Sequence, residues 1–130
     1  MRIGTLASET GVKVETIRYY ERIGLMKSPE RTAGGTREYG LEDLKRLSFI
    51  RRSRELGFSQ EEIRALLRMV DAQSVSCAQV HEMTLEHLAN IRRKIMRLQR
   101  LETALESMAA ECSKGDVPKC PVVEVLYEAQ

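Results

Sequence analysis

Residues 77–112 read CAQVHEMTLEHLANIRRKIMRLQRLETALESMAAEC, a long run without proline or glycine. Taken as one helix at about 1.5 Å per residue, it holds Cys77 and Cys112 roughly 50 Å apart. Val80, Leu85, Leu88, Ile91, Ile95, Leu98, Leu101, Leu105 and Met108 fall mostly three or four apart along it, a narrow apolar seam of the coiled-coil kind. The third cysteine, Cys120, follows in a loop. One chain alone therefore cannot gather Cys77, Cys112 and Cys120, whereas an antiparallel second copy sets its own Cys77 beside this chain's Cys112 and Cys120. The pattern predicts a homodimer with a three-thiolate site at each end of the seam. If Cys77 meets the other copy's Cys112, the two-fold axis falls near positions 94 and 95. The same register pairs Leu88 with Leu101 and Ile91 with Leu98, apolar against apolar. Soft thiolates in such a cluster suit thiophilic metals.

Beyond the seam, composition sets outer limits. The chain has 130 residues, of which 31% are charged and 42% hydrophobic, enough for one domain with an extension. No stretch approaches the ~18 uninterrupted apolar residues of a membrane span. The start, MRIGTLASET, lacks the apolar core of a secretory signal, so a cytoplasmic protein is expected. An odd cysteine count in a reducing compartment argues against a disulfide framework and toward metal binding or a reactive thiol. Residues 1–70 carry 14 Lys/Arg against 10 Asp/Glu, while residues 71–130 carry 7 against 9. The basic half is permitted to approach a polyanion.

The first forty residues hold helix signals in close order. Ile3, Leu6 and Ala7 have helical spacing before Gly11 breaks the run. Val14, Ile17, Tyr20 and Ile23 suggest a second helix with Gly24 as its C-cap. Two short helices joined by a glycine-containing turn make a helix-turn-helix candidate. The Gly34-Gly35 pair within residues 27–40 reads as a hairpin or wing. A further helix is expected from Leu41 to Leu56, with Leu44, Leu47, Phe49, Ile50 and Leu56 apolar. Ser59 and Glu62 form a capping box for the next, whose buried face is Ile63, Leu66, Leu67 and Val70. Asp71 to Ser76 is a polar linker. After Cys112, Gly115, Pro118 and Pro121 stop the long helix and bend a loop, and Val122 to Tyr127 close the chain as a short apolar helix.

Several of these patterns together resemble one family. Arg2-Ile3-Gly4-Thr5-Leu6-Ala7, Gly11-Val12, and the run from Val14 to Leu25 with its Arg18-Tyr19-Tyr20-Glu21-Arg22 centre are similar to the start of MerR-family transcription regulators. Arg37 and Tyr39 in the wing and Leu56-Gly57-Phe58-Ser59-Gln60-Glu61-Glu62-Ile63 extend the likeness, and the loop ending in Cys120-Pro121 looks like the metal-responsive branch. The resemblance spans nearly the whole chain. It implies a mostly α fold, with a winged helix-turn-helix DNA-binding domain and a second helical pair in residues 1–70 and a linker in 71–76. An antiparallel coiled-coil dimerisation helix in 77–112 and a metal-binding loop with a short closing helix in 113–130 complete it. It further implies a regulator that stays on a promoter and, when its effector binds, bends and untwists the DNA so that RNA polymerase finds its core elements aligned. That is sequence-dependent deformation put to regulatory use, and it serves activation of metal-resistance genes.

Within that frame Arg18, on the recognition helix, is expected to reach a base edge or phosphate. Tyr20 shares the apolar side with Ile17, so Tyr19 is the DNA-facing tyrosine. Arg37 and Tyr39 resemble the family's phosphate contacts from the wing. Arg31, Arg51, Arg52 and Arg54 are further backbone-contact candidates. The metal ligands are Cys77, Cys112 and Cys120. His81, one helical turn after Cys77, Ser113 or solvent are the candidates for a fourth position.

The family resemblance also grades the metal. Copper(I) and gold(I) sensors share the Cys112-x7-Cys120 loop but lack a cysteine at the Cys77 position, because two thiolates suit linear monovalent ions. A third thiolate points to Hg(II), Cd(II), Pb(II) or Zn(II), and zinc favours a fourth ligand. The loop is one residue shorter than mercury sensors often carry, so Hg(II) ranks beside Cd(II) and Pb(II), with Zn(II) behind. The alternatives are a monovalent Cu(I)/Au(I) sensor of the same family and a zinc-stapled coiled-coil adaptor without regulatory function. An iron–sulfur relative needs a fourth cysteine. An enzyme needs a nucleophile, base and pocket, and neither His81 nor His87 provides that constellation.

Overall fold

Glycine turns and a capping box bound helices of the N-terminal half. The computed structural model describes residues 1–29, 32–112 and 120–128, and it divides the chain into two compact units, Met1–Met83 and Thr84–Gln130. In the first unit, α1 (Ile3–Thr10) ends at Gly11, whose φ of 73° is the left-handed turn that glycine adopts without strain. The Thr10 hydroxyl donates back to the Leu6 carbonyl at 2.8 Å and accepts from the Val12 N–H, which shapes the turn into α2 (Val14–Arg22). Gly24, at φ 80°, then reverses the chain so that the N–H groups of Leu25 and Met26 both reach the Tyr20 carbonyl.

Helix α3 (Leu41–Glu55) follows a wing segment, and α4 (Gln60–Asp71) opens with the expected reciprocal box. The Glu62 N–H donates to Ser59 Oγ at 3.1 Å and the Ser59 N–H donates to Glu62 Oε1 at 2.9 Å. Three arginines then hold carbonyls left over at the ends of α1 and α2. Arg51 donates to the Thr10 carbonyl, Arg64 to Ile23 O at 2.7 Å and Arg46 to Leu25 O at 2.6 Å. These charged donors tie the second helical pair to the first.

The core of this unit is Leu6, Ile17, Tyr20, Leu25, Met26, Tyr39, Leu47, Ile50, Ile63 and Leu67. Each such side chain contributes about 1.5–3 kcal/mol by leaving water. Leu66, expected on the buried face of α4, is only half-buried, and two further expected apolar positions are exposed. Leu56 is exposed because it caps α3 just before Gly57 turns the chain, and Val70 is exposed on the last turn of α4.

The expected turn at the glycine pair is present. The Thr32 N–H donates to Thr36 O at 2.7 Å and the Gly35 N–H to Thr32 O at 2.9 Å, which closes a tight turn. Among the described residues Arg37 is in a β-bridge and no strand occurs. Glu30 and Arg31, on its entering side, lie outside the described residues.

Beyond α4 the chain turns at Gln73, the one non-glycine residue with positive φ (53°) among those described. The Ser74 N–H donates to Met69 O at 3.0 Å, closing the end of α4. Ser76 Oγ then accepts from the Gln79 N–H, and α5 (Cys77–Cys112) begins. It is one continuous helix of 36 residues.

The second unit holds most of α5 and α6 (Pro121–Tyr127). Pro121 sits at the first turn of α6, where its missing N–H costs nothing. Leu85, Leu88, Ile95, Leu98, Leu101 and Leu105 are between 37% and 63% exposed. No described helix is long and apolar enough to cross a membrane.

Candidate nucleic-acid interface and cysteine set

Helix α2 presents two kinds of side chain by its period. Ile17 and Tyr20 turn inward, while Arg18, Tyr19 and Arg22 turn out. Tyr19 is 39% exposed and its hydroxyl accepts from Gln60 Nε2 at 3.2 Å. The Arg22 guanidinium carbon lies 5.9 Å from the Tyr19 ring centroid, a cation–π approach that steadies both outward side chains. The division between Tyr19 and Tyr20 is the one that the periodicity indicated. Arg18 projects freely outward from the same helix.

Arg37 and Tyr39 converge on one carboxylate. Arg37 Nη1 lies 3.1 Å from Glu21 Oε2, and the Tyr39 hydroxyl donates to Glu21 Oε1 at 2.8 Å. The Glu21 side chain is 4% exposed and that of Arg37 is 40% exposed. Tyr39 itself is 1% exposed, so its ring is core rather than surface. Packing and the Glu21 hydrogen bond hold Tyr39 inside. Burial, followed by that hydrogen bond, pushes its hydroxyl up to about 12. The Tyr39 N–H also donates to the Met1 carbonyl at 2.7 Å, fixing the outgoing wing to the chain's start.

An open cleft of about 530 Å³ lies on this face, lined by Ile3, Arg18, Glu21, Arg22, Ser28 and Arg37. Three guanidinium groups border it, and the one carboxylate is committed to Arg37 and Tyr39. The cleft therefore suits an anion with several oxygens. The remaining backbone-contact candidates divide. Arg51 is engaged with Thr10 O and with Glu55 at 3.0 Å, Arg52 and Arg54 are exposed on α3, and Arg31 lies outside the described residues.

Glu21 is the residue that sequence reasoning missed. The signal was present: Glu21 stands four positions after Ile17, on the inward edge of α2, where a carboxylate needs a partner.

The cysteines occupy element ends. Cys77 is the first residue of α5 and exposed, and Cys120 is the exposed N-cap of α6. Cys112 is the last residue of α5, but its side chain, like the loop 113–119 with Ser113, lies outside what is described. His81 is exposed one turn after Cys77. Among the described residues no three His, Cys, Asp or Glu side chains come together as a metal cluster. The Cys77 and Cys120 thiols are exposed at the ends of helices, and their softness fits a thiophilic ion.

Comparison with known proteins follows this geometry. A family model described as MerR HTH family regulatory protein matches residues 1–70, and one described as MerR, DNA binding matches residues 44–108. The chain is 44% identical over 128 residues to the mercuric resistance operon regulatory protein of Bacillus cereus, covering 98% of this chain and 97% of that one. It is 42% identical over 120 residues to heavy metal-dependent transcription regulator 1 of Rhizobium meliloti (strain 1021), covering 92% and 82%. Among solved structures, the transcription regulator PbrR691 from Ralstonia metallidurans CH34, in complex with lead(II), superposes with a TM-score of 0.81. That pair is 35% identical, covering 97% of this chain and 98% of the other.

Proposed function

The chain belongs to the MerR family of helix-turn-helix regulatory proteins and is a transcription regulator rather than an enzyme, and from that premise we propose that it senses a thiophilic divalent metal as an antiparallel homodimer on promoter DNA. The observation that carries the reading is α5 itself. It leaves a row of leucines and isoleucines exposed along its length and has a cysteine at each end. A second copy laid antiparallel covers the row and brings each Cys77 to the partner's Cys112 and Cys120.

In this reading Cys77, Cys112 and Cys120 hold the ion, with His81 or Ser113 within sequence reach of a fourth position. The ion supplies a thiolate crosslink between the two protomers. Arg18, Tyr19, Arg22 and Arg37 hold the duplex, and a change in the dimer on metal binding is passed to the DNA as bending and untwisting that suits RNA polymerase. The effector is Hg(II), Cd(II) or Pb(II), ahead of Zn(II). The mercuric and lead(II) contexts of the relatives support that order. The gene products so controlled confer metal resistance, and the protein works in the cytoplasm.

The test is a competitive titration of reduced protein with Hg(II), Cd(II), Pb(II), Zn(II) and Cu(I), following thiolate-to-metal absorption in wild type and Cys77→Ser. Tight divalent binding at one ion per site, lost in Cys77→Ser, is the expected result. Preference for Cu(I), untouched by Cys77→Ser, would overturn the divalent reading.

A further inference from the structure

We propose that Glu21 is the positioning residue of the DNA-reading face: its carboxylate fixes the Arg37 guanidinium beside Arg18 and Arg22, so that helix and wing grip the phosphate backbone as one unit. The inference rests on the DNA-binding reading and deepens it.

A carboxylate on a surface meant for phosphates is at first sight a liability, since it repels what the arginines attract. Glu21 escapes that objection by its placement. Its side chain is 4% exposed, and one oxygen is taken by Arg37 at 3.1 Å and the other by Tyr39 at 2.8 Å. Arg37, by contrast, keeps 40% of its side chain exposed, and Nη1 is its one nitrogen engaged with Glu21. A guanidinium has five donors in a planar fork, so anchoring one edge leaves the other directed and available. Arg37 lines the same cleft as Arg18 and Arg22.

The gain is in pre-organisation. An unanchored arginine on a short wing turn loses side-chain freedom when it binds, and that ordering is subtracted from the affinity. Glu21 meets that cost in the folded protein before DNA arrives. It also joins two elements of separate origin, α2 and the wing, whose spacing must match the distance from groove to backbone.

Two physical pictures give opposite signs for Glu21→Gln. If Glu21 were only a nearby negative charge, its removal would tighten binding to every duplex. If it positions Arg37, removal weakens binding to a duplex that demands the full geometry and does not weaken binding to an arbitrary one. The probe is a duplex enriched from a random-sequence pool by the full-length wild-type protein, set against an unselected duplex of equal length. Glu21→Gln is expected to lose roughly fivefold to tenfold in affinity for the enriched duplex, with the slope of log affinity against log salt shallower by about one. In an Arg37→Gln background the same change should add less than about twofold, because the group being positioned is gone. Arg37→Lys, a surface change that keeps the charge and removes the fork, should reproduce the Glu21→Gln loss. Unchanged or tighter binding of the enriched duplex by Glu21→Gln, additive losses in the double variant, or wild-type affinity in Arg37→Lys would each overturn the proposal. Failure of the wild type to enrich any duplex would instead overturn the DNA-binding reading on which it stands.

Discussion

The Tyr39 hydroxyl and the Glu21 carboxylate meet at 2.8 Å although 18 residues separate them in sequence. The ring is fully packed, so the hydroxyl has no water to replace its partner. Tyr39→Phe should therefore cost about 1.5–3 kcal/mol in urea unfolding, the range for a hydrogen bond to a charged group.

The same hydroxyl gives a pH signature. Its folded value is raised from 10.0 to about 12, so it holds its proton more tightly in the folded chain than in the unfolded one. The associated stability is complete below about pH 10 and is lost as pH rises toward 12. The chain has four tyrosines. Following tyrosinate absorption against pH should show one late step, and Tyr39→Phe should remove it. A late step that survives in Tyr39→Phe would assign it to another ring.

Arg46 joins two regions at once. Its Nε donates to Leu25 O at 2.6 Å, and its Nη1 and Nη2 reach Asp71 Oδ1 and Oδ2 at 2.7 and 3.2 Å. Arg46→Met should cost about 1–3 kcal/mol, because it leaves the Leu25 carbonyl without its donor. Asp71→Asn should cost under about 1 kcal/mol, since the Asp71 side chain is 44% exposed and screened. The hydrogen bond from Arg46 holds the Asp71 carboxyl below the usual carboxylate range. Its contribution is thus present above the ordinary carboxylate value and lost as pH falls through the lowered one. Urea midpoints across an acid series should show that small loss in the wild type and not in Arg46→Met.

Gly11 allows no side chain. Its φ is +73°, and an added Cβ would stand 2.8 Å from Arg51 Nη1. Gly11→Ala should lower stability by about 1–2 kcal/mol from the left-handed backbone alone, with more from the displaced arginine. In an Arg51→Ala background the steric part disappears and the backbone part stays. Thermal melts of the four proteins of this cycle would separate the two.

Leu98 lies in the exposed row of α5 and is 63% exposed in one chain. Leu98→Glu removes an apolar contact twice in a symmetric pair, roughly 3 kcal/mol or more, which is over a hundredfold in the dimer dissociation constant. Sedimentation should find this variant monomeric at concentrations where the wild type is paired. An unchanged sedimentation profile would rule out the seam as the dimer contact.

How much of this was legible beforehand depends on range along the chain. Helix α5 was readable because its apolar period and its freedom from glycine and proline are local properties. So was the Ser59–Glu62 box, whose partners are three residues apart. The packing of Tyr39 was not legible, because nothing near it in sequence shows that Glu21 receives its hydroxyl. The turn of the wing was legible from its glycine pair, which marks a turn without saying how many pairs extend it. Leu56 and Val70 sit at helix ends, where periodicity no longer tells inside from outside. The three cysteines were legible as candidate donors, and the proposed gathering of them rests on a second copy that no single chain contains.

The open row of leucines on α5 also bears on how much of this protein a cell can keep. A newly made chain carries its longest greasy edge outward until it meets another, and encounters between like molecules rise with the square of their number. Scarce copies therefore spend the longest time alone, when proteases and chance aggregation reach them most easily. Under the proposed pairing, dimerisation also sets a floor on abundance: below it the protein is cleared before it can serve, and above it the helices shelter each other.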